Sequence, residues 1–284
     1  MLARLRTASW LGWQIESNWA DPLIFTIYAV LRPLSTALIL AGMYWAVSRF
    51  GGAGGSTATT RAVFVAIWIG SAFHTYVTQV LIAMGWVVVE EREEYETLKY
   101  VYASPIGIFT YLAGRSTVKL VLATISVALT LIIGWFVVGV RWEWGAVQWG
   151  LFAASFVLGI VATVSLGFIV AGVALLLPRV AMTLNEGVAV ALYLLCGVIF
   201  PIDLLPRGLQ EVTLALPFTW WYEALRRAIV GHGISTRLGA LPDGAVLGAL
   251  FLTTAVLAVG SRHAYLALET RARRLGRLDQ TTNF

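Results

Sequence analysis

The chain has 284 residues, enough for one or two soluble domains, but hydrophobic residues make up 59% of it and charged residues 12%, about half the charged share of a typical soluble domain. That balance and a mean hydropathy of +0.80 exclude a water-soluble globule and a disordered chain, and the single cysteine, Cys196, excludes a disulfide scaffold. The net charge of +5 comes without a basic stripe interleaved with exposed aromatics, which argues against nucleic acid as a partner and for a membrane-orientation bias.

At the N-terminus, residues 1–21 have helix-forming length, carry Trp10, Trp13 and Trp19, and break at Asp21-Pro22. They read as a helix lying on the cytoplasmic leaflet with the tryptophans as anchors. Six apolar segments follow, at roughly 22–47, 62–89, 107–140, 147–177, 183–202 and 244–264, together an all-α six-span membrane domain over 22–264 with a basic cytoplasmic tail at 265–284. The glycine-rich stretch 51–60 is a loop. With both ends inside, twelve Lys and Arg lie on the cytoplasmic side and seven outside, so the chain reads as a multi-pass protein of the cell membrane with both termini cytoplasmic.

Within the first segment Arg32 precedes Pro33, and an arginine at mid-bilayer costs about 2.5–3.5 kcal/mol on insertion scales. Glu186 is its expected ion-pair partner. In the second segment Ser71, His74, Thr75 and Thr78 recur at the spacing of one helical face. This stripe either lines a translocation path or hydrogen-bonds to packed helices.

Residues 90–106 read EEREEYETLKYVYASPI, and such a carboxylate cluster cannot lie in the membrane. Tyr95, Leu98, Val101 and Tyr102 share a helical spacing, so a short amphipathic helix is expected over 90–105, with its acidic residues in the first turns and Pro105 behind its end. Further on, the stretch 203–240 is punctuated by Pro206 and Pro217 and reads as two outer, re-entrant half-helices divided near Pro217, with Trp220, Trp221 and Tyr222 at headgroup level. No HExxH pattern, paired membrane carboxylates or other catalytic or metal-ligating constellation stands out.

The acidic segment resembles the cytoplasmic signature of type-2 permeases of ATP-binding cassette (ABC) exporters, approximately E-R-E-x-G-T-L-E-x-L-L-x-S-P-(I/V) followed by Y-L-x-G-R. The matching residues are Arg92, Glu93, Glu94, Tyr95, Glu96, Thr97, Leu98, Lys99 and Ser104-Pro105-Ile106, then Tyr111-Leu112-Ala113-Gly114-Arg115. Phe200-Pro201 to Leu205-Pro206, Leu216-Pro217 and Glu223-Ala224-Leu225-Arg226 resemble further elements of that family in the same order. Glu96 stands where the family has glycine, and Lys99 where it has glutamate. The resemblance implies a dimeric exporter subunit, pairing with a second copy or a related permease in the lipid bilayer. Glu91, Arg92, Glu93, Glu94, Tyr95, Thr97, Leu98, Tyr102 and Pro105 would couple it to two separate ATP-hydrolysing subunits. The chain itself lacks a phosphate-binding Lys-Ser/Thr loop, so ATP and Mg belong to those partners and no cofactor is expected on this chain. A lipid-modifying membrane enzyme and an ATP-independent channel or secondary transporter are the alternatives; the first would need a reactive constellation, the second internal inverted repeats.

Overall fold

The structure, a computed structural model, describes residues 2–18, 21–50, 57–137 and 145–276. Among them the regular elements are all helical: α1 Leu2–Ser17, α2 Pro22–Phe50, α3 Thr57–Glu93, α4 Leu98–Ala103, α5 Ile108–Val137, α6 Trp149–Leu176, α7 Pro178–Leu195, α8 Arg207–Leu214, α9 Pro217–Val230, α10 Thr236–Gly239 and α11 Asp243–Arg274, with a 3-10 turn at Ile202–Leu204. Trp19, most of the glycine-rich loop and residues 277–284 lie outside the described residues.

Among the described residues four stretches are long and apolar enough to cross a membrane, Arg61–Glu93, Ile108–Phe136, Trp149–Leu176 and Asp243–Arg274, and Pro33–Val47 of α2 is a shorter apolar stretch. Their burial sets the architecture: 72% of the apolar window of α3 is buried within the chain, against 33% for α5, 44% for α6 and 22% for α11. α3 is therefore the axis, and α5, α6, α7 and α9 pack against it while α11 backs onto α6 and α9. Close approach is bought at glycines. A Cβ on Gly159 would lie 2.0 Å from the Trp221 ring, and one on Gly167 would lie 2.4 Å from Met84 Sδ, so α6 carries the holes that receive the large side chains of α9 and α3.

α1 lies along α5. Ala8 is buried where Gly114 leaves room for it, Glu16 pairs with Lys119, and Trp10 and Trp13 are exposed.

Three expected boundaries move. The fifth segment is helical over 178–195, not 183–202: Pro178 supplies a pre-set φ at its start, and Gly197, at φ +75°, turns the chain away after Cys196. The sixth continues to Arg274, so the boundary at 264 falls inside a helix whose basic last turn suits its negative pole. The half-helices do divide at Pro217, but Trp221 and Tyr222 are fully buried. They fill the interior between α3, α6 and α11 and so do not anchor at headgroup level.

Candidate functional site

α3 runs on through the acidic cluster, so Glu90, Glu91 and Glu93 occupy the C-terminal turn of a long helix and not the first turns of a short one. Carboxylates oppose the helix dipole there, and the structure offsets them one by one. Arg115 Nη2 donates to Glu90 Oε2 at 2.9 Å, and Arg92 Nε to Glu93 Oε1 at 2.9 Å. Glu91, buried, accepts hydrogen bonds from the Tyr111 hydroxyl and from Thr97 Oγ1. Arg92 Nη1 also donates to the carbonyl of Leu175 at 3.2 Å, tying the end of α3 to the end of α6.

The chain then reverses through Glu96, whose φ of +51° is the left-handed value that favours glycine. The glutamate in place of the resemblance's glycine thus sits where a Cβ is strained. α4 begins only at Leu98. Ser104 closes it, its N–H and its Oγ both donating to the Val101 carbonyl at 3.3 and 2.8 Å, and Pro105 and Gly107, at φ +74°, complete the turn.

This later start rotates the face that sequence periodicity assigned. Leu98 is 2% exposed and belongs to the chain's own core with Val88 and Leu112, so it is not an outward knob. Tyr102 is half-buried; burial pushes its phenol up to about 12, so it stays neutral. The outward face consists of Glu94, Tyr95, Glu96, Lys99, Tyr100, Ala103 and Pro105. Tyr100 is 66% exposed with the Lys99 ammonium 5.4 Å from its ring centroid. Lys99 and Tyr100 were missed because their register is visible only once the helix is counted from Leu98. Between this loop and α1 runs a groove of about 640 Å³ lined by residues including Leu11, Ile15, Tyr95 and Tyr100.

Inside the bundle, Ser71 Oγ lies 3.0 Å from the Tyr193 hydroxyl and His74 Nδ1 lies 2.7 Å from that of Tyr222, so both residues pin α3 to α7 and α9. Thr75 and Thr78 are half-buried, and Thr78 Oγ1 donates to the Thr75 carbonyl at 3.1 Å. Glu186 is exposed on α7 beside a buried Asn185, and the side chain of Arg32 lies outside the described residues. Asn185 is a contact that sequence inspection missed: a Cβ on Gly85 would stand 2.1 Å from its Nδ2.

The segment α8–α10 holds a second polar cluster. Arg226 is 2% exposed and donates from Nε to the Ala66 carbonyl at 2.8 Å and from Nη2 to the Val198 carbonyl at 2.9 Å. Gly70 leaves it space, since a Cβ there would fall 2.3 Å from Nη2. Arg227 donates to Glu223 Oε1 and to Asp243 Oδ1, each at 3.0 Å. Asp203 caps α10, accepting from Thr236 N at 2.7 Å, Ser235 Oγ at 3.2 Å and Arg237 N at 3.3 Å. Partial burial pushes its carboxyl up, but these donors together hold it below the usual carboxylate range.

The family model of the ABC-2 type transporter matches residues 7–230. The chain belongs to that family. Among curated proteins no sequence matches it. The matched stretch runs from α1 to the last residue of α9 and so contains the acidic turn, α4 and the buried Glu223–Arg226 segment. Membership makes the chain a multi-pass membrane component of an ABC-type exporter, a family that works with ABC ATPase subunits.

Proposed function

We propose that the chain is the permease of a dimeric exporter, spanning the cell membrane six times with both termini cytoplasmic, and that its 94–105 turn docks on a separate ATPase that binds the ATP and Mg. The observation that carries this reading is the uncovered aromatic face of the turn. Tyr95 and Tyr100 are 49% and 66% exposed on a segment otherwise dressed with charge, and exposed aromatic anchors flanked by polar groups are the composition of protein interfaces.

α3 connects that face to the outer cap. Its 37 residues extend about 55 Å at 1.5 Å per residue, well beyond a hydrocarbon core of about 30 Å. One end carries the docking turn; towards the other the helix is gripped through the Ala66 carbonyl by Arg226, and at its midpoint His74 meets Tyr222. A push on the turn thus reaches α9 through one rigid rod, which is the alternating-access step: closure of the ATPases tilts α3 and loosens the outer half-helices. Thr75 and Thr78 are the members of the polar stripe left to meet an amphiphilic, lipid-like or lipid-linked cargo, Ser71 and His74 being engaged within the chain.

The test is co-purification of the permease with its ATPase and cargo-stimulated ATP hydrolysis in lipid vesicles. Replacing Tyr95 and Tyr100 together by Ala lowers ATPase retention at least 30-fold, the equivalent of ~2 kcal/mol, with insertion unchanged. Parent-like retention and transport in that variant would show that the turn is merely solvated.

A further inference from the structure

α11 lies beyond the stretch matched by the family model, and its basic end meets the cytoplasmic turn. The Arg273 guanidinium carbon stands 4.6 Å from the centroid of the Tyr102 ring, within the ~6 Å over which a cation is attracted to an aromatic face. From the other side Nη2 and Nε donate to Glu269 Oε1 at 2.7 and 3.2 Å, and Glu269 is buried. Beneath the guanidinium the hydroxyls of Tyr102 and Tyr265 approach each other without a well-formed hydrogen bond. Tyr265, fully buried, sets its ring edge-on to Phe109 at 4.6 Å and to Phe168 at 5.9 Å. One stack thus joins α4, α5, α6 and α11.

The two halves of the stack differ. Tyr265, Phe109 and Phe168 are permanent core. The Arg273 side chain is 54% exposed, and α4 has only six residues, so the contact between them can open without unpacking a span. Contacts of this kind at partly exposed sites are weak enough to exchange and strong enough to bias a position.

We propose that Arg273, laid across Tyr102 and held by Glu269, is a clasp that makes the docking turn and the cytoplasmic end of α11 move as one body. Arg273 and Tyr102 are positioning residues, and the clasp divides a push on the turn between two levers, α3 and α11. Its role in transport rests on the reading of the turn as the ATPase dock; the clasp itself does not.

The experiment measures the spin-label distance between Ala103→Cys and Thr270→Cys, both exposed sites, in a Cys196→Ser background. It is run first on the permease alone in lipid nanodiscs, then with the ATPase and ATP. Alone, the parent gives one narrow distance, Arg273→Ala and Tyr102→Leu each broaden it, and Glu269→Gln broadens it less. With ATPase and ATP the parent distance is unchanged, while Arg273→Ala spreads further and cargo moved per ATP falls about fivefold, the factor corresponding to ~1 kcal/mol. Tyr102→Phe keeps the ring and behaves as the parent. Equally narrow distances for Arg273→Ala and Tyr102→Leu in the isolated permease, or broadening by Tyr102→Phe, would overturn the clasp. Failure of the turn to bind an ATPase would leave the nanodisc result standing and remove only the docking role.

Discussion

The two ends of α3 solve the same problem in opposite ways. Each must carry charge and aromatic rings where the chain leaves the bilayer. At the C-terminal end the rings of Tyr95 and Tyr100 face outward and the carboxylates are neutralised from behind by Arg92 and Arg115. At the other end Trp221 and Tyr222 face inward, and so do Glu223, Arg226 and Arg227, which are all less than a tenth exposed. Burying ions is expensive and rewards only a complete set of partners, so the second end is a sealed structural cap. The first end leaves its apolar surface unspent, which is what a surface awaiting another protein does.

The contrast breaks most visibly at Arg226. Arg226→Ala orphans the Val198 carbonyl and empties a close-packed site, lowering stability by roughly 3–5 kcal/mol. Thermal unfolding in detergent would register it; a parent-like midpoint would mean that the cap is not held from within. At the opposite end Leu98→Asp places a carboxylate in the core behind the turn and costs on the order of 2–4 kcal/mol, whereas Tyr100→Ala, on the outward face, changes stability by less than ~0.5 kcal/mol. Equal effects from the two would erase the distinction between core and docking faces.

A smaller effect is expected at Asp203. Because its carboxyl is held low, the cap on α10 is fully present above the unfolded carboxylate value near 4 and is lost as pH falls through the lower folded value. Asp203→Asn removes that dependence and weakens the cap by about 1 kcal/mol, read as faster hydrogen exchange at residues 236–239 near neutral pH. At the turn itself the expected effect is a gain. Glu96→Gly relieves the left-handed backbone and stabilises the turn by up to ~1 kcal/mol, seen as slower exchange at Thr97 and Leu98. If exchange there quickens, the glutamate is itself holding the turn.

The main divisions of this fold were legible because they are local. Of the six apolar runs, four coincide with helices long and apolar enough to cross a membrane, Pro217 marked the split between α8 and α9, and the acidic run marked the turn at the end of α3. What was not legible depends on contacts between distant residues. The face of α4 follows from where α3 ends, and α3 continues through three glutamates only because Arg92, Arg115, Tyr111 and Thr97 receive them. Arg226 and Arg227 counted among the charges expected outside the membrane; besides Glu223 one turn away, their partners come from Ala66, Val198 and Asp243, which no window around 226 contains. The pairing of Arg226 with the hole at Gly70 is equally invisible in one sequence. In the polar stripe the spacing was right and its meaning undecided, since Tyr193 and Tyr222 had to be placed before Ser71 and His74 could be read as staples.

The central position of α3 also sets a schedule for biosynthesis. His74 and Tyr222 are separated by 148 residues of chain, and translation at 5–20 residues per second makes that a delay of roughly 7–30 s. Throughout that interval α3 has left the ribosome with a histidine and a run of hydroxyls whose partners have not been made. It must be sheltered at the insertion site or pair with water until α7 and α9 arrive, so the most buried of the four span-length helices is the one most dependent on its inserting machinery.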